Sequence, residues 1–188
     1  MTWAECQKQV TGFSGAEFKS FPTMEEAQAF AGVSAEGIPD TLPRAEKPAS
    51  DQVIAYVDGS YRSDTGEFSY GMVILKDGEE HTFCEKMTDK ELALMHNVAG
   101  EIKGSEAAMQ YAVDHNIPEI TIYHDYEGIA KWCTGAWKAT KPGTIAYQSF
   151  YRGVMKKVKV HFVKVKGHSN DKYNDMADQL AKKALGIL

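Results

Sequence analysis

The chain has 188 residues, 43% of them hydrophobic and 25% charged, with a formal net charge of −5, a composition that excludes a disordered or fibrous chain and points to a globular protein. Three widely spaced cysteines, Cys6, Cys84 and Cys133, exclude a disulfide framework and a cysteine zinc site and read as small buried hydrophobes. No apolar run approaches the roughly 18 residues of a membrane span, and Glu5, Gln7, Lys8 and Gln9 break up any signal-peptide pattern, so the protein is expected in the cytoplasm.

Residues 2–31 read as a compact unit. Thr2 can cap a short helix from Trp3 to Val10, Gly12 and Gly15 end it, and Glu17 to Phe21 alternates polar and apolar residues as a strand does. Thr23 and Glu26 form a capping box for a second helix that stops near Gly32. So little chain buries little core, and residues 1–32 are expected to be a small α+β fragment. Residues 33–51, with Pro39, Pro43 and Pro48 among small and charged side chains, are expected to be a semi-extended linker.

From residue 52 the texture changes. Val53 to Val57 is a strand-like run. Ser69 to Leu75 and His81 to Cys84 follow as strands around the turn Lys76-Asp77-Gly78. Val98 to His115 has helical spacing, with Ile102, Ala108, Met109 and Ala112 on one side. Glu119 to Tyr123 is a fourth strand, a short helix runs through Ile129 and Trp132, and Ile145 to Met155 is another helix. Val158 to Val165 is a fifth strand. Asp171 to Leu185 is a final amphipathic helix with Met176, Ala177, Leu180, Ala184 and Leu185 inward. The order β-β-β-α-β-α-α-β-α implies an α/β fold: a five-stranded mixed sheet with helices on its faces.

Charge is divided along this domain. Residues 51–130 carry 5 basic and 16 acidic side chains, a net of −11, whereas residues 131–188 carry 12 basic and 3 acidic, a net of +9. Such a division suits an acidic metal-binding floor beside a phosphate-binding wall, or it is only a matter of solvated faces. Four carboxylates stand out. Asp58 follows a strand, Glu101 lies in the first turn or so of the long helix, Asp125 ends the fourth strand, and Asp178 lies on the last helix. Singly, each has an ordinary explanation as a turn or helix-dipole residue. Together they could form a site at strand ends, where open α/β sheets bind ligands.

The stretches Asp58-Gly59-Ser60, Gly100-Glu101-Ile102, Ile122-Tyr123-His124-Asp125-Tyr126-Glu127-Gly128-Ile129 and Lys166-Gly167-His168, followed by Asn174-Asp175-Met176-Ala177-Asp178, resemble the type 1 ribonuclease H family in order and spacing over about residues 52–186. The match departs from many members in having Asp125-Tyr126 where they have Asp-Ser. The resemblance implies a ribonuclease H-like fold for residues 52–188. It implies an endonuclease that cuts the RNA strand of an RNA–DNA hybrid and leaves 5′-phosphate and 3′-hydroxyl ends. It assigns Asp58, Glu101, Asp125 and Asp178 as ligands of two Mg²⁺ ions, with Mn²⁺ as an alternative; an oxygen-only ligand set suits such hard cations. It assigns His168, on the loop after the fifth strand, to proton transfer or product release. Asp175 is read as exposed.

For the substrate, the resemblance places Gly59, Ser60 and Tyr61 beside the RNA and Asn97 against the DNA strand. It makes Trp137 an aromatic of the DNA channel, although plain core packing is an equal reading of that side chain. Residues 131–150 are too short for the basic handle helix of many bacterial relatives. Trp3, the Gly12-Phe13-Ser14-Gly15 run and Phe18-Lys19 resemble the hybrid-binding (viroplasmin-like) module of type 1 enzymes, which assigns Trp3, Phe18 and Lys19 to hybrid contact. That module begins with a strand and basic loop that have no counterpart before Met1, and residues 1–32 carry Lys8 and Lys19 against Glu5, Glu17, Glu25 and Glu26. A truncated, weakened module is therefore expected, in a protein that works as a monomer. Integrases, transposases and resolvases share such carboxylate-bearing sheets, and a scaffold that only binds is a further alternative. The three-strand start and the full set of four acids argue against both.

Overall fold

In a computed structural model of the chain, residues 52–166 and 171–187 are described. The chain divides into two units, Met1–Arg44 and Ala45–Leu188, and all described residues lie in the second. The expected N-terminal fragment with Trp3, Phe18 and Lys19, the linker, and His168 lie outside the described residues.

The elements are β1 (Val53–Arg62), β2 (Glu67–Lys76), β3 (Glu79–Met87), a 3₁₀ turn (Leu92–Met95), α1 (Asn97–Asp114), β4 (Glu119–His124), α2 (Gly128–Thr134), α3 (Pro142–Val154), β5 (Lys159–Lys164) and α4 (Lys172–Ala184). The five strands form one sheet in the order β3-β2-β1-β4-β5. β2 runs antiparallel to β1 and β3, while β4 is parallel to β1 and to β5. This is the mixed α/β sheet that the sequence predicts. Among the described residues, no helix is long and apolar enough to cross a membrane.

β1 is nearly twice as long as its apolar run. Asp58, Gly59 and Ser60 remain in the ladder opposite Gly71, Tyr70 and Ser69 of β2, so Asp58 sits within a strand and not after one. Pairing to a long neighbour overrides the turn preference of Asp-Gly. Cys84 also departs from expectation. It is exposed on β3, the strand at the sheet edge, while Cys133 is buried.

β1 has helices on both faces, and its side chains alternate between them. Val53, Ala55 and Val57 join the main core with Ile102, Ala108, Met109 and Ala112 of α1. Ile54 and Tyr56 join a smaller cluster with Val73, Leu75 and Ala177, under α4. On α4 the buried positions are Asn174, Ala177 and Ala181, followed by Leu185 just beyond it; Met176 and Leu180 pack at the margin.

Glycines set how closely the two helices approach. A Cβ on Gly59 would lie 2.2 Å from the Asn97 carbonyl oxygen of α1, and one on Gly100 would lie 2.0 Å from the Ser69 carbonyl oxygen. On the opposite face, a Cβ on Gly71 would lie 2.0 Å from the Ala177 carbonyl oxygen of α4. Close to that contact, the Ser69 hydroxyl donates to the Ala181 carbonyl at 2.6 Å.

Gly71→Ala is therefore expected to force α4 off the sheet and to destabilise the protein by about 1–3 kcal/mol. Gly153→Ala, whose Cβ would meet nothing within 4 Å inside α3, is expected to be neutral or stabilising by up to about 1 kcal/mol. Urea denaturation of the two variants checks the contrast.

Candidate metal centre

Four elements converge on the middle of β1, at Asp58. Asp58 comes from the strand itself. Glu101 comes from the first turns of α1, drawn down by Gly59 and Gly100. Asp125 follows the last residue of β4, and Asp178 comes from α4 on the other face. Together with Gly59, Asn97, Asn174 and Asp175 they line a cavity of about 130 Å³. One carboxylate oxygen from each of Asp58, Glu101 and Asp125 lies within 4.8 Å of the other two. Asp178 lines the same cavity but is not part of that tight group; its Oδ2 accepts from Lys182 Nζ at 2.7 Å, one helical turn on.

The acids are set in place by more than packing. The Gly59 N–H donates to Asp58 Oδ1 at 2.7 Å, and the Tyr126 N–H donates to Glu101 Oε2 at 3.3 Å. Glu101 is 5% exposed. Burial first, and then the charges of Asp125 and Asp58, push its pKa up from 4.5 to about 9. Burial and the charge of Asp125 push Asp58 from 3.8 to about 7, against the opposing Gly59 hydrogen bond. The site is thus short of positive charge. Among the described groups, Lys182 lowers the Asp58 pKa only as a minor influence. A cluster of oxygen donors that resist ionising without a cation is the environment that a hard divalent ion relieves, so these residues fit the ions implied by the sequence.

Of the other expected site residues, Gly59 and Asn97 line the cavity. Ser60 is buried, and Tyr61 stacks on His96 with ring centroids 4.5 Å apart. Trp137 is 36% exposed. It is a surface aromatic, set edge-on to Trp132 and Tyr126, with Lys131 Nζ 4.9 Å from its ring centroid.

Asp175 is not free in solvent as expected: it is partly buried and lines the cavity. Asn174 and Lys182 went unnoticed in the sequence, although both lie four residues from Asp178, the spacing that shares one helix face. His124, quoted in the sequence only as part of the Asp125 stretch, has no role assigned there. It is 1% exposed, its Nδ1 lies 2.9 Å from the Tyr126 carbonyl oxygen, and burial lowers its pKa.

The family model described as RNase H matches residues 50–186, and the model described as Ribonuclease H1 N-terminal domain matches residues 1–31. Among curated proteins, the ribonuclease H of Syntrophomonas wolfei is 27% identical over 148 residues, covering 73% of this chain and 98% of that protein. The ribonuclease H of Wolbachia pipientis is 28% identical, covering 71% and 95%. Among solved structures, RNase H1 of the archaeon Halobacterium salinarum superposes with a TM-score of 0.61 at 24% identity, over 73% of this chain and 99% of that one. LC11-RNase H1, solved in complex with an RNA/DNA hybrid, superposes with a TM-score of 0.57 at 20% identity, over 71% and 99%. These two structures share the five-stranded fold.

The raised carboxylate pKa values carry a sign. Between the ordinary value of 4.5 and about 9, folded Glu101 holds a proton that the unfolded chain has released. Stability of the metal-free protein therefore falls as pH rises through that window, and Asp58 adds to the fall between 3.8 and about 7. In chelator at pH 8, Glu101→Gln is expected to be more stable than the parent by about 1–3 kcal/mol. The gap should close toward pH 4.5, as read by urea denaturation at both pH values. A gap independent of pH contradicts the electrostatic account.

Proposed function

This chain belongs to the RNase H family and is a ribonuclease H, and from that premise we propose that it is an endonuclease hydrolysing the RNA strand of RNA–DNA hybrids with two divalent cations. The products would carry 5′-phosphate and 3′-hydroxyl ends. The observation that carries this reading is the trio Asp58, Glu101 and Asp125, one oxygen of each lying within 4.8 Å of the others, with the pKa values of Asp58 and Glu101 driven up by burial and then by neighbouring negative charge.

Asp58, Glu101, Asp125 and Asp178 would hold the cations, with Mg²⁺ the physiological choice and Mn²⁺ a substitute. When bound, two such ions neutralise the scissile phosphate, lower the pKa of an attacking water and stabilise the leaving 3′ oxygen. Asp58 would be the central ligand, since Asp125, Asp178 and Glu101 line the same cavity around it. Lys182 pairs with Asp178 and so holds the fourth carboxylate at the cavity's edge. His168 is assigned to moving a proton at the departing product.

Substrate is held by groups around this floor. Gly59, Ser60 and Tyr61 lie along the RNA, where a 2′-hydroxyl distinguishes RNA from DNA, and Asn97 contacts the DNA strand. Trp137, part exposed beneath Lys131, gives the DNA strand an aromatic face with a cation next to it. Residues 1–32 are proposed as a partial hybrid-binding module acting through Trp3, Phe18 and Lys19, a reading supported by the family match to residues 1–31. Residues 33–51 then form a linker to the catalytic domain, residues 52–188. The enzyme is proposed to act as a monomer in the cytoplasm.

The test is a fluorescent RNA–DNA hybrid in Mg²⁺ and in Mn²⁺, beside single-stranded RNA, duplex RNA and duplex DNA. Cleavage confined to the RNA of the hybrid is expected, slowed by roughly 10³-fold in Asp58→Asn. His168→Ala should cost about 100-fold or less. A folded protein that cuts the hybrid with neither metal is a binding module, and one that cuts duplex DNA belongs to another reaction class.

A further inference from the structure

We propose that His124 is a positioning residue for Asp125: its buried imidazole holds the backbone turn that delivers that carboxylate to the metal centre. The inference rests on the reading of Asp125 as a metal ligand. β4 ends at His124, and the chain must turn at once to enter α2 at Gly128. Asp125 lies inside that turn.

The backbone on both sides of Asp125 is tied down. Before it, the His124 carbonyl accepts from the Val165 N–H at 2.9 Å, from just past the end of β5. After it, the Tyr126 N–H reaches Glu101 Oε2 at 3.3 Å, and the Tyr126 carbonyl lies 2.9 Å from His124 Nδ1. A carbonyl oxygen can only accept, so Nδ1 carries the proton and donates. His124 thus grips the peptide on the far side of Asp125 from beneath.

The other ring nitrogen shows that this grip is the reason for a histidine here. With Nδ1 spent on the Tyr126 carbonyl, Nε2 is left over. It is buried and has no hydrogen-bond partner among the described residues, which is destabilising. The ring is 1% exposed and sits edge-on to Phe162 at 6.0 Å. Leucine or isoleucine would fill such a place without an orphaned polar atom. A local rule broken beside a functional group marks a residue kept for what it does there. What Nδ1 does is stiffen a turn whose carboxylate is crowded against Asp58 and Glu101, with one oxygen of each inside 4.8 Å. Such supporting hydrogen bonds orient ligands before the ion arrives.

The experiment uses the full chain and three variants. His124→Asn keeps a donor near the place of Nδ1. His124→Leu removes it, and His124→Gln moves it to the place of Nε2. Mn²⁺ binding is measured by calorimetry without substrate, alongside circular dichroism and thermal melting. His124→Leu and His124→Gln are expected to weaken Mn²⁺ binding by about 10-fold or more, and His124→Asn by no more than about threefold. The melting temperature of His124→Leu should stay at or above that of the parent. Unchanged Mn²⁺ affinity in every folded variant overturns the positioning role while leaving the metal centre intact, as does an equal loss in all three. A parent protein that binds no Mn²⁺ removes the metal-centre reading itself, and this inference with it.

Discussion

The gathering of carboxylates in a partly buried site is the constraint around which this domain is built. Left to themselves, Asp58, Glu101 and Asp125 would separate or hold their protons, and the pKa values of the first two are raised by burial first and then by the neighbouring charges. The fold opposes separation by attaching each acid to a different rigid element. Asp58 rides on a paired strand, Glu101 on a long helix, and Asp125 on a turn tied at both ends. No single segment can relax without disturbing a neighbour.

The attachment depends on missing side chains. Gly59 and Gly100 let α1 settle on the sheet, and Gly71 does the same for α4 on the opposite face. The two helices carry Glu101 and Asp178, so acids from both layers reach the same point of one strand. Asp58 lies opposite Gly71 in the ladder, which links the position of the central acid to the contact that brings α4 in. The energy stored in the site is supplied by the core beneath it, where Val57, Ile102 and Met109 are almost wholly buried.

Much of this was legible in the sequence. Apolar periodicity marks every strand and helix of the sheet domain except the Leu92–Met95 turn, because periodicity is the imprint of burial. The four acids stand out because their motifs occur in order. Other features depend on tertiary pairing. The extension of β1 through Asp58-Gly59-Ser60 comes from the β2 ladder, against the local preference for a turn. Cys84 is exposed because β3 is an edge strand, and strand order cannot be read from composition. Asp175 lies in the cavity because of the angle at which α4 docks over Gly71. His124 has a hydrogen bond only two residues away, yet its burial and its orphaned nitrogen appear only once β5 is placed beside β4. The one available signal was a histidine at the end of an apolar strand next to a candidate ligand.

The central claim is that this crowding exists to hold divalent cations, and diffraction from crystals soaked in Mn²⁺ tests it most directly. Anomalous density is predicted against the carboxylates of Asp58, Glu101 and Asp125, with Asp178 drawn from Lys182 toward a second peak. Crystals that diffract well and show no anomalous peak in this cavity, with Glu101 still packed against Asp125, would contradict it.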